Sequence, residues 1–178
     1  WGKGYFSIHE SGHLLVHPEK DPRRSVDLAL LVEQIGQRGV DLPVLLRFGG
    51  ILQDRLREIH GAFGKAIRDH NYRGSYACVY PVKVNPQRQV VEEVLEHGRR
   101  YAVGLEAGSK PELLAVVALA DPTTPIICNG FKDAEYIEMA LLAQKIGRRV
   151  IPVVERFTEL ELILATAGRL GVRPRIGV

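Results

Sequence analysis

The sequence predicts an α/β fold built from repeated β/α units, and two observations carry this reading. Strand-like apolar runs at residues 76–84, 101–105, 125–128, 150–154 and 174–178 alternate with helical patterns at residues 87–97, 111–120, 134–146 and 158–170. This repeat of roughly two dozen residues is the kind that builds parallel sheets. The helical patterns also have physical boundaries: Pro111 suits a first turn, Gly147 and Gly171 suit C-terminal stops, and Thr158 can cap a helix start. Such units fold as a doubly wound sheet or as a barrel, and periodicity alone leaves both open.

Ahead of the repeat, the apolar residues of segment 5–17 are interrupted by Glu10, Ser11 and Gly12, a turn signal that predicts a hairpin. Val26, Leu28, Leu31, Val32 and Ile35 then recur at helical spacing until Gly36 and Gly39 stop them, which predicts a first helix. Residues 43–48 form a short β-rich run, and residues 51–70 an amphipathic helix on Ile51, Leu52, Leu56, Ile59, Phe63 and Ile67. The expected division is a hairpin-and-helix segment, residues 1–42, followed by the first part of the β/α domain, residues 43–178.

Composition narrows the function classes. With 178 residues, 46% hydrophobic and 25% charged, the chain can bury one main core. The net charge is only +3, with both signs interleaved, so nucleic-acid binding has no electrostatic footprint. The longest apolar stretches, residues 113–120 and 139–143, fall short of the roughly 20 residues of a spanning helix. The first 20 residues lack the basic start and apolar run of a signal peptide. Cys78 and Cys128 sit inside apolar runs and read as small buried residues, which fits a reducing cytoplasm. A start at Trp1 without methionine and an end at Val178 within a strand pattern read as a fragment.

In β/α folds ligands bind beyond the C-terminal ends of the strands. The residues there are Lys83 and Asn85, then Glu106, Asn129 and Glu155, and the bland reading of Glu155 is a solvated loop residue. Strand alternation puts Ala77, Val79, Pro81, Lys83 and Asn85 on one face. A lysine held against apolar walls either snorkels to water or has its pKa lowered by desolvation, and the second state supplies the neutral amine an aldehyde cofactor requires. The bland alternative is a strand-end lysine paired with Glu106, whose carboxylate could equally orient it by a charge-assisted hydrogen bond.

Other motifs carry less. His9, His13 and His17 are spaced by four, but Gly12 and Pro18 argue against the helix that would align them, so they read as surface histidines and no metal site is expected. The glycine pairs lack Walker and dinucleotide spacing, and no Gly-x-Ser-x-Gly elbow is present.

Taken together, Gly4-Tyr5-Phe6-Ser7, Leu42-Pro43-Val44-Leu45-Leu46-Arg47-Phe48, Val79-Tyr80-Pro81-Val82-Lys83-Val84-Asn85, Gly104-Leu105-Glu106-Ala107-Gly108-Ser109-Lys110-Pro111-Glu112-Leu113, Ile127-Cys128-Asn129-Gly130-Phe131-Lys132-Asp133 and Glu159-Leu160-Glu161-Leu162 resemble the biosynthetic arginine decarboxylases. These belong to the pyridoxal-phosphate class of ornithine and diaminopimelate decarboxylases and alanine racemase. Similarity covers nearly the whole chain. The lysine motif and the Ala-Gly-Ser-Lys-Pro-Glu run alone would reach only the wider class. One departure is Gly49-Gly50, where a polar helix cap is expected; it weakens a helix start but touches no residue assigned to chemistry.

The resemblance implies the first part of a (β/α)8 TIM-type barrel. It implies Lys83 as the catalytic lysine that holds pyridoxal 5'-phosphate, and Glu106 as a second cofactor-site residue positioning that lysine or a cationic partner. It further implies conversion of L-arginine to agmatine and carbon dioxide in polyamine (putrescine and spermidine) biosynthesis, a magnesium requirement, a homo-oligomer at full length, and a cytoplasmic enzyme. The phosphate loop, the acidic partner of the pyridine nitrogen and the substrate contacts are expected beyond Val178, so the fragment alone is expected to be inactive. Two rivals stand beside this reading. An ornithine or diaminopimelate decarboxylase would share Lys83 but not the long matches around Tyr5 and Leu42. A non-catalytic pyridoxal-phosphate-binding barrel would keep the fold without the chemistry.

Overall fold

Gly12, at a positive φ of 85°, lets the chain reverse after Ile8, and β1 (Phe6–Ile8) pairs antiparallel with β2 (Leu14–Val16). The expected hairpin is present. A third strand, β3 (Val26–Asp27), joins the far edge of β2, pairing Val16 with Val26. Val26, read from sequence as the start of the first helix, is therefore in the sheet, and α1 (Leu28–Gln37) starts two residues later. Asp27 caps it, its carboxylate accepting from the Ala29 and Leu30 N–H groups. The computed structural model describes residues 2–178, in two compact units, the first running to Gly61 and the second Ala62–Val178, with the division falling inside the long helix α2 (Gly49–Asp69).

One further expectation for the first unit is corrected. Residues 43–48 form no strand: extended chain becomes a strand only by pairing, no described strand pairs with this run, and Leu42 and Leu45 stay exposed. Gly50 turns out to have a packing reason, because a Cβ there would stand 2.7 Å from the Cβ of Pro18. The unit's polar core is Asp54, 2% exposed, which accepts from the Tyr5 hydroxyl at 2.7 Å and is paired with Arg57.

In the second unit four parallel strands follow one another in sheet order: β4 (Val79–Pro81), β5 (Gly104–Ala107), β6 (Ile126–Cys128) and β7 (Val150–Pro152). A doubly wound sheet reverses its strand order at a switch point. These four strands do not, and sequential order is that of an arc of barrel. The connecting helices are α3 (Arg88–Gly98), α4 (Lys110–Leu119), α5 (Ala134–Lys145) and, after β7, α6 (Phe157–Leu170).

Each strand is three or four residues long. Leu105, Ile126 and Val150 are fully buried in the sheet and pack with Leu113 and Val116 of α4 and Ala140 of α5. Each such side chain removed from water contributes about 1.5–3 kcal/mol. Ile137 and Leu141 of α5 meet Ile163 and Ala167 of α6 in a second cluster. Gly104 has no room for a side chain: a Cβ would lie 2.6 Å from the Pro125 carbonyl oxygen.

Pro111 falls in the first turn of α4, and Gly147 and Gly171 follow α5 and α6 at φ of 93° and 65°. Thr158 does not cap α6. Arg156 occupies the cap position without a side-chain bond, and the carboxylate of Glu159 instead reaches back to the Glu155 N–H at 3.0 Å. Residues 174–178 make only a single parallel bridge, Val153 to Gly177, rather than a full strand.

Candidate functional site

Parallel strands place all their C-terminal ends on one side, and here that side gathers Lys83 and Glu106. Pro81 has no N–H to donate to the ladder, so β4 stops there and Val82–Val84 tightens into a 3-10 turn, closed by a 3.2 Å hydrogen bond from the Tyr80 hydroxyl to the Asn85 carbonyl. Glu106 lies opposite Pro81 in the register of β5. Its Oε1 stands 3.6 Å from the Lys83 Nζ, an ion pair at longer than hydrogen-bond distance.

The local conformation of Lys83 corrects the sequence reading. Lys83 lies on the turn rather than on the strand face shared with Val79 and Pro81, and its side chain is 63% exposed while that of Glu106 is 18% exposed. What remains is an accessible primary amine beside a half-shielded carboxylate.

The other strand-end residues take lesser places. Asn85 turns its carboxamide oxygen to the Gln87 N–H at 3.3 Å and starts the passage into α3. Asn129 directly follows β6. Glu155, exposed as the bland reading holds, nevertheless accepts a 2.6 Å bond from the Gly130 N–H. His9, His13 and His17 bond to Ser11, Asp27 and Ser7, respectively, and His17, expected at the surface, is buried. The His13 bond draws the Asp27 carboxyl below its ordinary range.

The residues that sequence reasoning passed over are the buried polar ones beneath the rim. Lys132 and Glu159, with side chains 1% and 4% exposed, form an ion pair at 3.2 Å. Burial pushes the Glu159 carboxyl up, but the N–H donors of Glu155 and Lys132 and the Lys132 ammonium outweigh it and leave the carboxyl below its ordinary value. Tyr136 donates its hydroxyl to the Ala107 carbonyl at 2.6 Å under β5, and burial raises its pKa. Burial also pushes the Cys128 thiol up to about 11. The sequence signal for Glu159 was its place in the first helical turn, three residues past the cap position, where a carboxylate satisfies free N–H groups. Nothing in the spacing of Lys132 announced its burial.

The family model described as the pyridoxal-binding domain of pyridoxal-dependent decarboxylases matches residues 54–178. The biosynthetic arginine decarboxylase of Rhodopirellula baltica is 57% identical over 178 residues, which is 100% of this chain and 27% of that protein. The protein of the same name from Gloeobacter violaceus is 52% identical, again over 100% of this chain and 28% of its own length. The chain thus spans little more than a quarter of these relatives. Among solved structures, the biosynthetic arginine decarboxylase of Campylobacter jejuni superposes with a TM-score of 0.87 at 34% identity, over 99% of this chain and 29% of that one. A diaminopimelate decarboxylase shares the fold at a TM-score of 0.62 and 20% identity, over 98% of this chain and 35% of that one.

Proposed function

Since the chain belongs to the pyridoxal-dependent decarboxylases, through their pyridoxal-binding domain, we propose that the full-length protein carrying it converts L-arginine to agmatine and carbon dioxide, with Lys83 as the lysine that holds pyridoxal phosphate. The observation that carries the substrate is the 57% identity to a biosynthetic arginine decarboxylase, which extends across the N-terminal hairpin as well as residues 54–178. The sequence similarity to the diaminopimelate enzyme is far lower, at 20%.

The residues present fit the cofactor's aldehyde. Lys83 offers an open primary amine, and its ion-pair partner, Glu106, stays at 3.6 Å. Pyridoxal phosphate, when bound, supplies the electron sink that accepts the pair left behind as the substrate carboxylate departs as carbon dioxide. Lys83 would anchor the cofactor at Nζ and, once freed by substrate, carry the proton that the reaction returns to carbon. Glu106 would hold that amine at the mouth by charge attraction.

The wider reading goes with this proposal. Agmatine formation would feed polyamine synthesis, in the cytoplasm and in a homo-oligomer. Among the described residues no helix is long and apolar enough to cross a membrane. Among the described residues no group of three His, Cys, Asp or Glu residues gathers to hold a metal, and the magnesium requirement rests on the family resemblance alone. The barrel-forming part is proposed to begin at residue 43. The 178-residue chain alone is proposed to be inactive, since its main sheet has four strands where a closed barrel has about eight.

The test is to load the full-length protein with pyridoxal phosphate and offer L-arginine, L-ornithine and meso-diaminopimelate separately, measuring carbon dioxide and the amine product. Agmatine from arginine is expected, with Lys83→Ala lowering the rate by about 10²–10⁴-fold. Preference for ornithine or diaminopimelate would move the substrate assignment. Cofactor binding without release from any of the three would favour a non-catalytic barrel.

A further inference from the structure

Lys132 sits in the loop between β6 and α5, and Glu159 in the first turn of α6, so each belongs to a different β/α unit. A buried ion pair is poor value as a stabiliser, because removing two charges from water offsets most of their attraction and an apolar pair of like volume is often as stable. Its geometry gives it another use. The Glu159 carboxylate takes the Lys132 ammonium at 3.2 Å, the Lys132 N–H at 3.2 Å and the Glu155 N–H at 3.0 Å, so one side chain ties both loops. The Lys132 ammonium also donates to the Gly130 carbonyl, within its own loop.

Two further contacts join the same loops. Glu155 accepts from the Gly130 N–H at 2.6 Å, and the Arg156 guanidinium lies over the Phe131 ring at 5.2 Å. The loops are therefore bonded to each other beyond the ends of the strand ladder. They carry Asn129 and Glu155 at the end of the sheet where Lys83 and Glu106 stand, since Cys128 is in register with Ala107, the neighbour of Glu106.

We propose that Lys132 and Glu159 are positioning residues that lock the loops after β6 and β7 into one rigid wall of the cofactor mouth. This rests on the reading of the mouth as a pyridoxal-phosphate site. The wall would orient the bound cofactor by holding both loops in place, and it moves as a unit or not at all. A pair that served folding alone would leave the loops' local opening and the ring's orientation unchanged in any variant that still folds.

The experiment uses the full-length protein loaded with pyridoxal phosphate, comparing wild type with Lys132→Met, which keeps much of the side chain's length and apolar bulk but removes the charge. Hydrogen exchange is followed at residues 129–132 and 155–159, and bound cofactor by its visible absorbance and circular dichroism. Exchange at least tenfold faster in both loops together is expected, with β5 unchanged, and a visible dichroism band reduced at least twofold at constant absorbance. Faster exchange in one loop only, or an unchanged dichroism band at full occupancy, would overturn the proposal. Should Lys132→Met not fold, Glu159→Gln, which keeps an acceptor oxygen, is read by the same criteria. If the wild type binds no pyridoxal phosphate, the reading of the mouth has failed, while coupled exchange of the loops still decides whether the pair locks them.

Discussion

Lys83 and Glu106 come from successive β/α units, 23 residues apart, and meet at 3.6 Å because β4 and β5 run parallel with Pro81 opposite Glu106. The pairing can be structural or functional, and magnitudes separate the two. A long pair with one partner open to solvent contributes at most about 1 kcal/mol to stability, a factor of about five in equilibrium terms. In the full-length protein Glu106→Gln is expected to leave the melting temperature nearly unchanged while weakening pyridoxal-phosphate binding at least tenfold, read by titration of its absorbance. Equal affinity in the variant would reduce Glu106 to a surface partner.

Gly104 lets β5 approach the Pro125 carbonyl at a distance no side chain tolerates. Gly104→Ala is expected to lower stability by about 1–3 kcal/mol, the usual cost of overpacking, because the obstacle is backbone and cannot swing aside. Urea unfolding at constant slope measures it. A change below 0.5 kcal/mol, roughly the scatter of neutral surface substitutions, would mean the strand can shift to make room.

The two cysteines should separate under alkylation. Cys128 is fully buried with its thiol pushed up to about 11, whereas Cys78 is only partly covered. Native protein treated with iodoacetamide at neutral pH is expected to be labelled at Cys78 and not at Cys128, as peptide mapping would report. Labelling of Cys128 at a comparable rate would contradict its place in the core.

The Glu159 carboxyl lies below its ordinary value of 4.5 in the folded protein. A depressed carboxyl contributes stability that is fully present above its unfolded value and is lost as the pH falls through the folded one. Wild-type stability should therefore drop below about pH 4.5 more steeply than that of Glu159→Gln, which has no proton to take up there. Parallel acid limbs in urea titrations would show that Glu159 is not paired as described.

Much of this arrangement was legible in the residues. The β/α alternation is written in apolar runs and helix boundaries, and parallel strands carry Lys83 and Glu106 to the same end once those units are recognised. The conformation of Lys83 was not legible by alternation, because Pro81 ends the ladder and the chain tightens into a turn that period-two reasoning does not contain. Residues 43–48 have strand composition and no strand, since composition cannot supply a partner. Val26 was claimed by helical spacing but is held by Val16 of the neighbouring strand. Lys132 and Glu159 are 27 residues apart, and only the packing of successive units buries them together.

The most direct test of the account is covalent capture at Lys83. Full-length protein is mixed with micromolar pyridoxal phosphate, reduced with borohydride, digested and mapped. The account predicts selective, saturable labelling of Lys83, competed by L-arginine and absent in Lys83→Ala. Saturable labelling of a different lysine, or labelling of Lys83 no greater than that of the exposed lysines Lys3 and Lys65, would contradict it.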